Sequence, residues 1–227
     1  MNDAQRGVLT ADQVDRIKNS IRSLVRDLAD HDDRDPRPEE EAEAAETASQ
    51  VERAIAKPSP PADTPEQLAP AWRTEAPVLC LAGRGTLDEA ATAMLAQLLT
   101  KHNLGSRVAP HQAASREYIP ALDVEGVAMV CISYLEISGS PAHLRYLVRR
   151  LRGRLPTGTP ILVGLWPAED QVLHDHGLQG LVGADHYTTS LGEAVEICVR
   201  VAHEQAAEPG SAVADRTSSA KIIAFAP

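Results

Sequence analysis

Residues 127–133 read Val127-Ala128-Met129-Val130-Cys131-Ile132-Ser133, an apolar run with no alternation of polar and apolar positions. A continuous run of this length is typical of a strand that is buried on both faces, as in a parallel sheet covered by helices. Gly139 and Pro141 follow, and proline is favoured at the first position of a helix because its missing N–H would have no partner there. The stretch therefore predicts a central strand followed by a helix.

Four other short apolar segments alternate with segments of helical periodicity. The predicted strands are 78–82, 107–109, 127–133, 160–166 and 184–187, and the predicted helices are 88–104, 115–122, 141–155, 168–176 and 191–206. Strands that alternate with helices at these lengths predict crossovers onto a parallel sheet. Residues 77–206 are therefore expected to form an α/β domain with a five-stranded, parallel, doubly wound sheet in the flavodoxin-like order 2-1-3-4-5.

Residues 1–30 contain a separate amphipathic helix. Thr10 and Gln13 have the spacing of a capping box, which predicts that the helix begins there. Apolar residues then recur at intervals of three and four, as in a coiled-coil seam: Val14, Ile17, Ile21, Leu24 and Leu28. A helix this short is marginal alone, so its stripe must be buried against the same helix of a second chain, the chain's own domain or another protein.

Two segments have the composition of disordered chain. Residues 31–76 combine charged runs with closely spaced prolines, and such a composition cannot bury enough surface to offset the entropy of ordering. They are expected to form a flexible, acidic linker. Residues 207–227 are expected to form a flexible tail, in which the apolar patch 221–225 either adds to a sheet edge or remains frayed.

Charge and hydropathy exclude several functional classes. The formal net charge is −10, and residues 1–70 hold 16 acidic against 9 basic side chains, which argues against a nucleic-acid ligand. No window approaches the roughly 18 apolar residues of a membrane span, and the N-terminus is no signal peptide. We expect a cytoplasmic protein without membrane insertion. Its three cysteines, Cys80, Cys131 and Cys198, lie in apolar segments and are expected to be buried small residues.

The carboxyl ends of the strands are where α/β proteins bind ligands, so the residues after the first and third strands are the first candidates. Gly83-Arg84-Gly85 lacks the third glycine of a dinucleotide-binding loop, although this turn could present N–H groups of the next helix to an anion. The third strand ends with Ser133, whereas phosphoacceptor domains of the same topology have an aspartate there, so a phosphoacceptor function is rejected.

No set of side chains in the sequence predicts catalysis or metal binding. Ser133 and His143 are a hydrolase-like pair, but the serine has no nucleophile elbow and no carboxylate is evidently placed to orient the histidine. A zinc site would have to combine residues such as His174, His176 and His186 from more than one element, and is not expected. The basic row on the helix after the third strand has the pattern of a solvated outer face, with phosphate or acidic-partner binding as the alternative: Arg145, Arg149, Arg150, Arg152 and Arg154.

The motif order from residue 77 to residue 200 resembles that of cobalamin-binding domains of the methionine synthase and corrinoid-protein type. The similar motifs are Ser133-Tyr134-Leu135, Val163-Gly164 and Gly183-Ala184-Asp185-His186-Tyr187. The family's cobalt-ligating histidine corresponds here to Thr86, and the second glycine of its V-G-G motif corresponds to Leu165. The family's glycines leave room for the nucleotide tail of the cofactor. We therefore expect Leu165 and Trp166 to fill that slot and to exclude a base-off, His-ligated cobalamin.

A further resemblance covers more of the chain. Residues 78–84, 123–128, 131–135 and 141–146 are similar to the cytoplasmic C-terminal extension of some bacterial autoinducer-exporter (PerM-like) permeases. In those proteins a segment similar to residues 6–30 follows the last membrane helices. The resemblance implies a regulatory or partner-binding role near a permease, either as a separate gene product or as an excised domain, and it implies no activity.

These observations predict a non-enzymatic regulatory or partner-binding module with a degenerate cobalamin-binding-like fold and no cofactor. Its partner-binding surface would be the apolar stripe of the N-terminal helix, through self-association or contact with a protein such as a permease. The alternative is a small-molecule sensor that holds base-on cobalamin or a flavin at the carboxyl ends of the strands. The candidate pocket residues are Gly83, Arg84, Gly85, Thr86, Ser133, Tyr134, Leu135, Gly164 and Trp166.

Overall fold

A computed structural model describes residues 9–31, 68–135, 142–166 and 176–207. The strands are β1 (Val78–Ala82), β2 (Ser106–Ala109), β3 (Met129–Tyr134), β4 (Ile161–Leu165) and β5 (His186–Thr188). The α-helices are α1 (Ala11–Asp27), α2 (Thr86–Lys101), α3 (Ala142–Arg152), α4 (His176–Val182) and α5 (Leu191–Ala207). Three short 3₁₀ helices cover Pro70–Trp72, His111–Ala114 and Ile119–Ala121.

The strands form one parallel sheet in the order β2-β1-β3-β4-β5, which confirms the predicted topology. The register places Cys80 beside Cys131 and Ser133 beside Gly164. β1, β3 and β4 are buried along their whole length, as expected for strands that are covered on both faces. Since all strands run the same way, the loops that follow them meet at one edge of the sheet.

Each face of the sheet has its own apolar core. One face is covered by α3, the end of α4 and the 3₁₀ helices at 111–114 and 119–121. The other is covered by α2, α5 and the 3₁₀ helix at 70–72. Successive residues of a strand point to opposite faces, so Leu79 and Leu81 enter the first core whereas Val78 and Cys80 enter the second.

The N-terminal helix begins as predicted and lies against the chain's own domain. Thr10 and Gln13 form the capping box, with the Thr10 hydroxyl oxygen accepting from the Gln13 backbone N–H and the Gln13 side-chain oxygen accepting from the Thr10 backbone N–H. α1 packs along α2, and the Gln97 side-chain amide donates to the Val25 carbonyl oxygen at 2.7 Å. The helix is therefore not isolated, although Ile17, Leu24 and Leu28 of its apolar stripe remain exposed.

The predicted linker is wrong over residues 68–76. Leu68, Ala69 and Trp72 are buried in the second core, and the Trp72 indole N–H donates to the side-chain oxygen of Gln205 on α5 at 2.8 Å. Pro70 takes the first position of a 3₁₀ turn, where its lack of an N–H costs nothing. These few apolar residues among prolines show no periodicity, so the sequence pattern did not reveal them.

The predicted helix over 115–122 is also wrong. The segment holds only the 3₁₀ turn Ile119–Ala121, after the earlier turn His111–Ala114, because Pro120 cannot donate to a helical hydrogen bond and restricts the residue before it. Near the predicted helix over 168–176, the structure describes a helix that runs from His176 to Val182. Gly177 and Gly180 had the appearance of helix breakers in the sequence.

Other predictions fall on residues 1–8, 32–67, 136–141, 167–175 and 208–227, which lie outside the described residues. They include most of the acidic linker, the tail with its 221–225 patch, Pro141 and His174. Within the described ranges, no helix has both the length and the apolarity that a membrane span requires.

Candidate functional site

The carboxyl ends of β1 and β3 lie side by side, and the chain leaves them toward opposite faces of the sheet. After β1 the chain enters α2, whose Leu95 and Leu99 belong to the second core. The helix that follows β3 is α3, whose Leu144 and Leu147 belong to the first core. Such a divergence of neighbouring connections is the switch point at which open α/β sheets bind ligands.

The ring of Tyr134 lies over Gly83 at this switch point. A Cβ atom at position 83 would come within 2.4 Å of Tyr134 Cζ, so only glycine leaves space for the ring. Tyr134 is buried, and its hydroxyl oxygen lies 3.0 Å from Nδ1 of His143. The last residue of β3 is thus held between the end of β1 and the start of α3.

The protonation of this Tyr–His pair follows from its surroundings. Burial, and then the negative charge of Asp88, raise the pKa of the Tyr134 hydroxyl. Burial, and then the positive charges of Arg84 and Arg150, lower the pKa of His143. Both groups are therefore neutral at neutral pH. We assign the hydrogen bond as donated by the Tyr134 hydroxyl to Nδ1, which leaves the proton of the neutral imidazole on Nε2 of His143.

The Asp88 carboxylate occupies the N–H groups of the loop after β1. One oxygen accepts from the Arg84 N–H at 2.8 Å and the Gly85 N–H at 3.0 Å, and the other accepts from the Leu135 N–H at 2.8 Å. Burial outweighs these hydrogen bonds and raises the pKa of Asp88. Because a side chain of the protein already uses the amides of residues 84 and 85, these two are not available to an external anion.

Glu89, the next residue of α2, connects three elements. Its carboxylate is only 6% exposed, and one oxygen lies 2.8 Å from Nδ1 of His111. The other oxygen lies 3.6 Å from Nζ of Lys18 on α1. A buried carboxylate needs such partners because losing its hydration is costly. The N-terminal helix is therefore tied to the edge of the sheet by an ionic contact as well as by apolar packing.

A cleft of about 330 Å³ opens beside these groups, between the loop after β1, the connection from β2 to β3 and the start of α3. Arg84 and Tyr118 are exposed at this cleft. Its lining residues are Gly83, Arg84, His111, Gln112, Ala114, Ser115, Glu117, Tyr118 and His143.

The structure does not bring all of the predicted pocket residues together. Gly83 and Arg84 line the cleft, and Tyr134 lies over Gly83, whereas Gly85 and Thr86 begin α2. Leu135 contributes its N–H to the Asp88 carboxylate. The three remaining residues, Ser133, Gly164 and Trp166, belong to the opposite face of the sheet. The predicted pocket is thus divided by the sheet itself.

On that opposite face, the Trp166 ring fills the space beside Gly164. A Cβ atom at position 164 would lie 2.3 Å from the ring. The prediction that Leu165 also fills this slot is wrong, because its side chain points to the other face and is fully buried in the first core. The Trp166 indole nitrogen and the hydroxyl of Ser133, the register neighbour of Gly164, are both buried and have no hydrogen-bond partner among the residues that the structure describes. The arrangement therefore does not fit a cofactor whose nucleotide tail would lie against Gly164.

Four functional candidates were missed or set aside from the sequence: Asp88, Glu89, His111 and His143. His111 follows β2, and no local pattern reveals that this connection returns to the end of β1. Asp88 stands three residues into α2, where an acidic residue is ordinarily read as a helix cap. His143 was considered only with Ser133, but alternation along β3 makes Tyr134 its partner.

Two arginines of the predicted basic row are bound within the chain. Arg152 binds the Asp185 carboxylate and the Thr159 carbonyl oxygen, and Arg154 donates to the Leu122 carbonyl oxygen. These two arginines stabilise loops. Among the described residues, no group of three His, Cys, Asp or Glu side chains has an arrangement that could hold a metal ion.

Comparisons with known proteins add no assignment. The sequence matches no protein-family model, and searches of curated proteins and of solved structures give no significant match.

Proposed function

We propose that this protein is a non-enzymatic regulatory module of the cytoplasm that acts by contact with other polypeptides, and that α1 is its contact surface. One observation carries the proposal: half of the apolar side chains on this side of α1, which are the predicted stripe and Val25, remain exposed in the described structure. Val14, Ile21 and Val25 are half-buried on the side of α2, whereas Ile17, Leu24 and Leu28 remain 38%, 57% and 43% exposed.

The exposed half of the stripe fits a second copy of the same helix. In an antiparallel pair, Ile17 of one copy fits between Leu24 and Leu28 of the other. At 100° per residue, Arg16 and Asp27 lie on the outer edge of this stripe, and the same register places Arg16 of one copy opposite Asp27 of the other. A two-fold pair would contain this contact twice.

The expected association is weak. Each of the six side chains would bury only the exposed remainder of its surface, which contributes about 1 kcal/mol per side chain, and association itself has a large entropic cost. A dimer that forms and dissociates with concentration suits a regulatory contact better than a permanent assembly does.

Sedimentation velocity on the full chain over a range of concentrations tests this proposal. Leu24→Glu should abolish the concentration-dependent dimer, because it places a charge in the stripe. Asn19→Glu adds the same charge on another exposed face of α1 and should leave the dimer unchanged. Arg16→Glu and Asp27→Arg should each weaken dimerisation, and the double variant should restore it.

Two results would overturn the self-association proposal: a wild-type chain that stays monomeric at all concentrations, or a Leu24→Glu variant that dimerises as the wild type does. A monomer would leave a different polypeptide as the partner of α1. For that role we propose a membrane permease, because residues 78–84, 123–128, 131–135 and 141–146 resemble a permease extension.

A second candidate function is a small-molecule sensor, and the cleft at the switch point favours it. The cleft volume of about 330 Å³ lies at the low end of the roughly 300–1,000 Å³ of ligand pockets. A ligand smaller than cobalamin or a flavin nucleotide suits it better. Absorbance spectra and calorimetric titration with base-on cobalamin and with a flavin test the cofactor version, which a colourless protein and an absence of heat would eliminate.

A further inference from the structure

We propose that the cleft at the ends of β1 and β3 binds a small ligand through an anionic group, a carboxylate or a phosphate, held by Arg84, His111 and His143. The inference deepens the sensor candidate and is independent of α1 association. It rests on three nitrogen-bearing side chains that come from three different elements and line one cleft.

Each histidine has one ring nitrogen fixed from behind. Nδ1 of His143 lies 3.0 Å from the Tyr134 hydroxyl, and Nδ1 of His111 lies 2.8 Å from the Glu89 carboxylate. These contacts set the orientation of both rings and leave Nε2 of each for a ligand. Because the Glu89 carboxylate can only accept, Nδ1 of His111 is the donor to it, and Nε2 of His111 donates to an anion in the imidazolium form of the ring. A neutral His143 whose Nδ1 accepts the hydrogen bond of the Tyr134 hydroxyl presents Nε2–H, a hydrogen-bond donor and not a metal ligand.

Arg84 supplies the positive charge. It is exposed at the cleft, and a guanidinium recognises carboxylates and phosphates with paired hydrogen bonds. The amides of residues 84 and 85 already bind Asp88, so the ligand would be held mainly by side chains. Asp88 and Glu89 are turned to other partners, which leaves Glu117 as the one carboxylate among the described residues that line the cleft.

The remaining lining completes a site for a small polar molecule. Ser115 and Gln112 add groups that can donate hydrogen bonds, and the exposed ring of Tyr118 offers a flat surface to the body of the ligand. A purely apolar ligand would leave the guanidinium and the Nε2 atoms of both imidazoles without partners, at a cost in free energy. An anion therefore matches the lining best.

Side-chain NMR of the histidines in the full chain tests the inference. The protein is titrated with inorganic phosphate and, separately, with succinate, at constant ionic strength maintained with sodium chloride. We expect saturable shifts of the His111 and His143 ring signals, with His102, His186 and His203 as internal references. Saturation by phosphate alone or by succinate alone would support the inference and identify the anionic group.

Variants assign the binding to the cleft. Arg84→Gln should lower the affinity for the anion by about tenfold, which corresponds to a loss of about 1.4 kcal/mol of binding free energy. Arg145→Gln, on α3 outside the cleft, should leave the affinity unchanged. Non-saturating shifts equal to those with sodium chloride, or an unchanged affinity in Arg84→Gln, would overturn the inference.

A parallel titration with neutral and cationic small molecules separates this inference from the candidate function on which it rests. If such a molecule causes saturable shifts of the His111 and His143 ring signals and neither anion does, the sensor candidate stands and the inference of an anionic ligand is wrong. If no compound of any charge shifts them, both fail.

Discussion

At the scale of single residues, the contact between Gly83 and Tyr134 positions the candidate site. The Tyr134 ring crosses the end of β1 where Gly83 has no side chain, and its hydroxyl reaches His143 on the other side. This contact fixes the floor of the cleft and the orientation of the histidine. Because the ring is held at its hydroxyl end as well as by its backbone, it cannot easily move aside.

Gly83→Ala should therefore destabilise the protein. The added Cβ would meet three ring atoms of Tyr134 within 2.5 Å, and overpacking of this kind costs roughly 1–3 kcal/mol. Urea unfolding measures the change. Gly180→Ala is the matched control. In the described part of the chain, nothing outside the backbone of α4 lies within 4 Å of a Cβ atom added at position 180, so alanine should be neutral or stabilising by up to about 1 kcal/mol. Equal stabilities for the two variants would contradict the proposed contact.

The sequence predicted only part of this site. It placed Gly83 and Tyr134 at one edge of the sheet, since parallel strands end on the same side. It could not show that Tyr134 faces His143 whereas Ser133 points the other way, because that depends on the register of β3. His111 reaches the site through the irregular connection after β2, which has no periodicity to read.

At the scale of elements, α1 shows what a helical pattern can and cannot predict. The capping box and the apolar spacing were sufficient to predict its start and its stripe. The pattern could not divide that stripe between a docked side and an exposed side, because both satisfy the same periodicity. Lys18, which ties the helix to Glu89, was indistinguishable in the sequence from the solvated charges around it.

Lys18→Met should loosen the docking of α1 without unfolding the domain. The variant removes one of two ionic partners of the buried Glu89 carboxylate, and a partly exposed pair of this kind contributes at most about 1 kcal/mol. Amide hydrogen exchange over residues 11–27 should then be roughly fivefold faster when it is measured on dilute, monomeric protein.

Arg22→Met serves as the control for this exchange measurement. It removes a positive charge from the same helix, at an exposed position of the groove between α1 and α2, and should leave the exchange nearly unchanged. If the exchange of α1 were identical in the wild type and in Lys18→Met, the ionic contact would contribute nothing to docking.

At the scale of the whole molecule, the sheet order was predictable and the division of the site was not. Five apolar segments separated by helical segments favour a parallel sheet in the order 2-1-3-4-5, and the structure has that order. A motif such as Ser133-Tyr134-Leu135 is continuous in sequence, but alternation sends its side chains to opposite faces. The predicted pocket was therefore assembled from residues that the fold separates.

The buried cysteines make it possible to test whether the sheet and α5 separate in a single step. As predicted, Cys80, Cys131 and Cys198 are buried, and they come from β1, β3 and α5. Cys131 Sγ lies 3.6 Å from Cys198 Sγ, and the hydrogen bonds to Cys198 and then Cys80, with burial, raise the pKa of the Cys131 thiol. All three should resist alkylation in the native state because they are buried away from the reagent. At Cys131 the raised pKa adds to this protection, since the thiolate is the reactive form.

Pulsed alkylation with N-ethylmaleimide in increasing urea, read by mass spectrometry, should then show chains with either no adduct or three adducts. The reason is that no one of these thiols reaches solvent unless the sheet and α5 separate, which opens the second core completely. A Cys198→Ala variant should give chains with either no adduct or two adducts. Chains labelled only at Cys198 under native conditions would show instead that α5 detaches from an intact sheet, and that the molecule has two levels of stability.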